Sequence, residues 1–148
     1  MVETLSMATD QAQLQNQSLE KRLEVSTAEV EGLKEHLEQV RRDATTDGLT
    51  NLSNRKAFED TFAHACAVSD HKGTSLSLAL LDIDHFKSFN GTWGHQTGDQ
   101  VIRFVASVID RLGSSPRFAA RYGGEEFAMI FPSESAEVIE AALEEIRV

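Results

Sequence analysis

The sequence predicts an α/β (α+β) protein, with a long N-terminal helix followed by a small domain of helices, one apolar strand and a hairpin. Three observations predict it. Residues 1–46 contain no Pro and one Gly, and carry apolar residues alternately four and three apart. The run Leu78-Ala79-Leu80-Leu81 is a strand signal that ends on Asp82-Ile83-Asp84. Finally, Arg121-Tyr122-Gly123-Gly124-Glu125-Glu126-Phe127 places a Gly-Gly turn and two carboxylates before the apolar run Phe127 to Phe131, which reads as a hairpin with an acidic tip.

The helix comes first. Leu19, Leu23, Ser26, Val30, Leu33, Leu37, Val40 and Ala44 form a heptad seam, continued more weakly upstream by Leu5, Thr9, Ala12 and Asn16. A polar Asn16 at an a-type position weakens such a coil while favouring two strands. Residues 1–46 therefore read as a coiled-coil dimerisation helix. The alternative is one amphipathic helix lying on the domain, but the stripe is narrow, two residues per heptad, where a helix on a globular core shows a wider face.

Residues 47–148 supply the α/β part. Asp47 to Arg55 breaks the long helix, and Ser53 or Asn54 caps a helix over 55–68. Its apolar face is Phe58, Phe62, Ala65 and Cys66, with Cys66 expected as a buried small side chain. Residues 70–73 read as a turn, and 75–81 as a strand buried enough to be almost continuously apolar. Residues 84–99 read as a Gly-punctuated loop with one helical turn. A helix over 100–112 turns Val101, Phe104, Val105, Val108, Ile109 and Leu112 inward. Strands over 117–122 and 126–131 make the hairpin. A last helix over 134–147 turns Val138, Ala142, Leu143 and Ile146 inward.

Composition narrows the function. A formal charge of −10 argues against a nucleic-acid partner, but a divalent cation can still stand between carboxylates and a nucleotide's phosphates. Cys66 is the single cysteine, which excludes a disulfide framework and a Cys-based zinc site. The N-terminus has no basic-then-apolar signal, and no apolar run approaches bilayer length. The expectation is a soluble, cytoplasmic protein without direct membrane contact, unless a membrane or sensor part lies outside this chain.

Asp82 ends an apolar strand, where a carboxylate has no packing role. Hard cations prefer oxygen ligands and keep several waters, so Asp82, the Ile83 carbonyl and Glu125 would suffice if the hairpin packs beside the strand. A second reading stays open, in which these carboxylates cap the following turn; Asp84 fits it better than Asp82. In the next segment, the backbone at His85, Phe86 and Lys87 can hold phosphate oxygens. Asn90 and Asp99 offer an amide and a carboxylate suited to the edge of guanine. Phe86, Phe89 and Trp93 are expected in the core, and His95 is expected to be structural.

Together, Asp47-Gly48-Leu49-Thr50, Asn54-Arg55, Asp82 to Lys87, Asn90, Gly94-His95, Gly98-Asp99 and Arg121 to Phe127 resemble the GGDEF family of diguanylate cyclases, from Asp47 to the chain end. The heptad helix is similar to the stalks that feed such domains. The resemblance implies a βαββα fold akin to nucleotide cyclases and polymerase palms, with a mostly antiparallel sheet. It implies condensation of two GTP into cyclic di-GMP and two pyrophosphates across a homodimer, with Mg²⁺ (or Mn²⁺). It implies Asp82, the Ile83 carbonyl and Glu125 as metal ligands, and Glu126 as the second acidic residue needed for turnover. Gly123 and Gly124 become the tip that the nucleotide approaches, Asn90 and Asp99 the guanine readers, and His85 to Lys87 the phosphate turn.

Three departures from the family pattern stand out. Ser114 and Arg117 occupy the positions of the family's inhibitory Arg-x-x-Asp, so no inhibitory product site is expected. Gly91 replaces a usual Asp. The family's final strand and helix would follow Val148, so this chain is expected to be an incomplete domain with impaired GTP binding and turnover. Two alternatives remain: a non-catalytic signalling or dimerisation module, and another palm-type nucleotidyl transferase, which the Asn90 and Asp99 pair argues against.

Overall fold

The computed structural model describes the backbone of residues 2–147 and side chains at 7 and 9–147. The seam position Leu5 lies outside the described side chains. The chain divides into two compact units, Met1–Arg42 and Asp43–Val148. Helix α1, Val2–Thr45, is continuous, as a Pro-free sequence allows. Its seam residues Leu19, Leu23, Val30, Leu33, Leu37 and Val40 are all exposed, between 46% and 72%. The heptad stripe is thus an open apolar face.

The second unit holds α2 Arg55–Lys72, β1 Leu76–Asp82, α3 Phe86–Trp93, α4 His95–Leu112, β2 Phe118–Arg121, β3 Glu126–Pro132 and α5 Ala136–Glu144. The three strands form one antiparallel sheet in the order β1-β3-β2. One face, through Phe127, Met129 and Phe131, packs on Ile102, Ala106 and Ile109 of α4 and Ala142 of α5. The other, through Ala120, Ala128 and Ile130, packs on Phe58 of α2. Full burial of side chains such as Phe127, Phe131 and Ile109 contributes about 1.5–3 kcal/mol each.

Several expectations need correction. Helix α2 runs four residues past Val68, because nothing from Ser69 to Lys72 breaks it. Gly73 ends it at φ 64°, a left-handed conformation that glycine adopts without strain. Asn54 is the cap, its side chain accepting from the Ala57 N–H at 3.0 Å. Cys66 is half-buried rather than buried. The expected loop over 84–99 holds two helices, α3 and the first turn of α4. Gly91 is absorbed within α3, and the chain breaks only at Gly94, with φ 81°.

Strand β1 is not buried on both faces: Leu78 is 44% and Leu80 70% exposed. It is an outer strand of the sheet, paired with β3 alone among the described residues, and Leu78 and Leu80 lie beside Ile130 and Ala128 on the α2 side of the sheet but are left open at its edge. In α4, Phe104 is 61% exposed, and Ile102 and Ala106 take the inward positions. In α5, Val138 is exposed and Ile139 packs on the core instead. Arg117 has a structural partner: its Nε and Nη2 donate to both Glu134 oxygens, each at 2.7 Å. Among the described residues no helix is long and apolar enough to cross a membrane.

Candidate functional site

The hairpin delivers the acidic residues by register. Asp82 at the end of β1 stands opposite Glu126 at the start of β3, so the two project from the same face of the sheet. One step further, the Ile83 N–H donates to the Glu125 carbonyl at 3.3 Å. Asp82, Ile83, Glu125 and Glu126 therefore meet at one end of the β1–β3 pair. All their donor atoms are oxygens. Among the described residues no three His, Cys, Asp or Glu side chains converge on a common point. Asp82 and Glu125 bring carboxylates to this end and Ile83 a carbonyl, oxygen groups of the kind a hard cation takes.

The tip is held in place by residues to which sequence reasoning gave no role. Arg121 Nη1 donates to Asp47 Oδ1 and Oδ2 at 3.1 and 3.2 Å. The same guanidinium donates from Nε to the carbonyls of Gly123 and Gly124, at 3.1 and 3.2 Å, and from Nη2 to Gly124 at 2.7 Å. Asp47 in turn accepts from the Leu49 and Thr50 N–H groups and the Thr50 hydroxyl, at 3.2, 3.0 and 2.8 Å. Burial pushes the Asp47 carboxyl up, but hydrogen bonds from Thr50 and Arg121 and the Arg121 charge outweigh it and hold the pKa below its ordinary value. Because Asp47 and Arg121 lie 74 positions apart, no local pattern reveals the pair.

Neither Gly123 nor Gly124 adopts a positive φ; the glycines with positive φ are Gly73 and Gly94. The requirement at Gly123 is steric: a Cβ there would meet the Glu126 side chain, including its Oε2. A Cβ on Gly124 would meet nothing within 4 Å. Glu126 thus folds over Gly123, and the absent side chain makes room for its carboxylate.

A second group of residues lies at the α3–α4 corner. His85 begins α3 at φ 58° and gives no side-chain cap to the first turn, so first-turn N–H groups there remain uncapped by side chains. The Phe86 N–H donates to the Ile83 carbonyl at 3.2 Å, which ties this helix start to the end of β1. Asn90 packs against Gly98, where a Cβ would overlap the Asn90 amide and crowd the Phe86 ring. Asn90 Oδ1 is buried without a hydrogen-bond partner, and Asp99 follows Gly98 directly, half-buried. Phe86 is in the core and Phe89 is half-buried, but Trp93 is 65% exposed, against expectation. Lys87 and His95 are exposed.

These elements have known counterparts. The family profile described as diguanylate cyclase, GGDEF domain, matches residues 44–148. The chain is 42% identical over 130 residues to diguanylate cyclase VdcA of Vibrio cholerae, covering 87% of this chain and 37% of that protein. It is 37% identical over 131 residues to diguanylate cyclase DgcP of Pseudomonas aeruginosa, covering 88% of this chain and 20% of that protein. The chain therefore spans well under half the length of these relatives. A crystal structure of the coiled coil and GGDEF domain of DgcB from Caulobacter crescentus, in complex with c-di-GMP, superposes with a TM-score of 0.81 at 71% identity, covering 87% of this chain and 68% of that one. With most of its length matched by that profile, this chain belongs to the GGDEF family of diguanylate cyclase domains.

Proposed function

We propose that this chain is the catalytic part of a diguanylate cyclase, which joins two GTP molecules into cyclic di-GMP and releases two pyrophosphates. The observation that carries the reading is the β1–β3 register, which sets Asp82 against Glu126 and ties Ile83 to Glu125. Family membership and the c-di-GMP complex of the similar DgcB support it.

In this reading each part of the site has one task. Asn90 and Asp99 bind the guanine edge, and the unpartnered Asn90 Oδ1 gains its missing hydrogen bond there. The uncapped first turn of α3, from His85 to Lys87, donates N–H groups to phosphate oxygens. Gly123 leaves space for Glu126, and Gly124 for the approaching nucleotide. Asp82, Glu125 and the Ile83 carbonyl would hold Mg²⁺ or Mn²⁺. A hard cation that keeps waters and shares phosphate oxygens fits a set of two carboxylates and a carbonyl. When bound, such an ion neutralises phosphate charge and lowers the pKa of the attacking 3′-hydroxyl. Arg121 and Asp47 keep the tip in register with β1.

One domain holds one GTP, so the reaction needs two. The open heptad face of α1 suits pairing with a second copy as a parallel coiled coil, which raises the effective concentration of the second half-site. The Arg117–Glu134 pair takes up the side chain at a position where the family's inhibitory site expects an Asp. With Ser114 at the other position, we propose no product inhibition through that surface. A cytoplasmic location is part of this proposal.

The test is to incubate the chain, and a form extended past Val148, with GTP and Mg²⁺ and to assay cyclic di-GMP. Product from either supports cyclisation, and product from neither favours a non-catalytic module. In the active form, Leu33→Asp with Leu37→Asp is expected to lower the rate per monomer at low concentration. An unchanged rate would remove the role given to the stalk.

A further inference from the structure

We propose that Trp93 is a further substrate-binding residue that stacks on the guanine base; this rests on the reading of Asn90 and Asp99 as the guanine edge binders. Phe86, Asn90 and Trp93 are spaced four and three apart on α3, so they follow one stripe of the helix. The stripe begins inside the core, with Phe86 6% exposed. At its middle, Asn90 Oδ1 is buried with no partner. At its end, Trp93 is 65% exposed. Tryptophan is highly buried on average, and this is the only one in the chain.

The chain topology brings the aromatic and the polar pair to the same α3–α4 corner. Gly94 turns the chain at φ 81° immediately after Trp93, and the Trp93 carbonyl accepts from the Thr97 hydroxyl at 2.9 Å. Asn90 lies against Gly98, and Asp99 is next in the chain. The corner thus offers the Asn90 amide and an exposed flat apolar side chain from α3, and the Asp99 carboxylate from the start of α4. A purine needs both, one for its edge and one for its face. Hydrogen bonds select guanine, while stacking adds affinity that any base can use. A solitary exposed aromatic with no ligand is the competing outcome.

The sole tryptophan makes the test direct. GTP with Mg²⁺ is titrated while Trp93 emission is followed, and binding is measured in parallel by equilibrium dialysis. The expected result is a saturable change in emission with the same midpoint as dialysis. Trp93→Ala is expected to weaken GTP binding about tenfold, and Trp93→Phe, which keeps a stacking face, by less than about threefold. Intact GTP binding in the wild type with unchanged affinity in Trp93→Ala would overturn this inference and leave the guanine reading standing. Absence of GTP binding by the wild type in dialysis would overturn both.

Discussion

The two ends of the site are built in opposite ways. At the hairpin end the protein satisfies itself: Arg121 bridges Asp47 and the carbonyls of Gly123 and Gly124, and the Ile83 N–H closes onto Glu125. At the α3–α4 corner it does not. Asn90 Oδ1 is buried and unpartnered, the start of α3 has no side-chain cap, and Trp93 faces solvent. A buried polar atom without a partner costs about 1–3 kcal/mol, which a bound base would recover. Groups that act on developing charge gain from being fixed in advance, whereas groups that recognise a ligand can leave their hydrogen bonds for it to complete. In the proposed reading the hairpin end is therefore the catalytic half and the corner the binding half.

Substitutions can break this division. The largest effect is expected for Asp82→Asn: turnover falls by about 10²–10³-fold, the scale of removing one preorganised electrostatic group, with GTP affinity nearly kept. Asn90→Ala should do the reverse, raising KM more than it lowers kcat. Steady-state kinetics of the two variants checks the split, and equal losses in both parameters for both variants would erase it.

The glycines sharpen it. Gly123→Ala is expected to displace the Glu126 carboxylate and lower kcat by about 10–100-fold, an effect on the scale of losing a positioned catalytic group. Because only a flexible side chain must move, Tm should hold within a few degrees. Gly124→Ala leaves Glu126 in place, so its cost should fall on KM, through the nucleotide. Gly98→Ala forces the Asn90 amide and Phe86 ring aside, with Cγ at 2.9 Å and Cζ at 3.1 Å from the added carbon. It is expected to destabilise by about 1–3 kcal/mol, the usual range for overpacking, and to weaken GTP binding as Asn90→Ala does. Thermal melts and dialysis check both.

The smallest effect is that of pH. Asp47, under the bonds and charge described above, and Glu134, through its hydrogen bonds from Arg117, are both held below the ordinary carboxylate range. Their contribution is complete above about pH 4, the unfolded carboxylate range. It is lost as pH falls through and below that range, because the unfolded chain then binds protons the folded one resists. Tm measured from pH 6 to pH 3 should fall, and less steeply in a variant carrying Asp47→Asn.

Much of this could be read from the sequence, and the failures have physical causes. The hairpin and β1 were legible because apolar runs ending on acids and Gly-Gly turns are local signals. The register that opposes Asp82 to Glu126 follows once the strands pair. Helix α3 was hidden by Gly91, which reads as a breaker but is carried within the helix by its neighbours. Leu80 and Phe104 read as core because hydrophobicity does not tell an outer strand from an inner one. The brace between Asp47 and Arg121 was invisible because it depends on the two ends of the domain meeting.

The most direct test of the whole account is a crystal of the chain grown with Mn²⁺ and a non-hydrolysable GTP analogue, with the ion located by its anomalous signal. The account predicts a peak bonded to oxygens of Asp82, Glu125 and the Ile83 carbonyl, beside phosphates held at the start of α3. A peak elsewhere, or an ion that touches neither Asp82 nor Glu125, would contradict it.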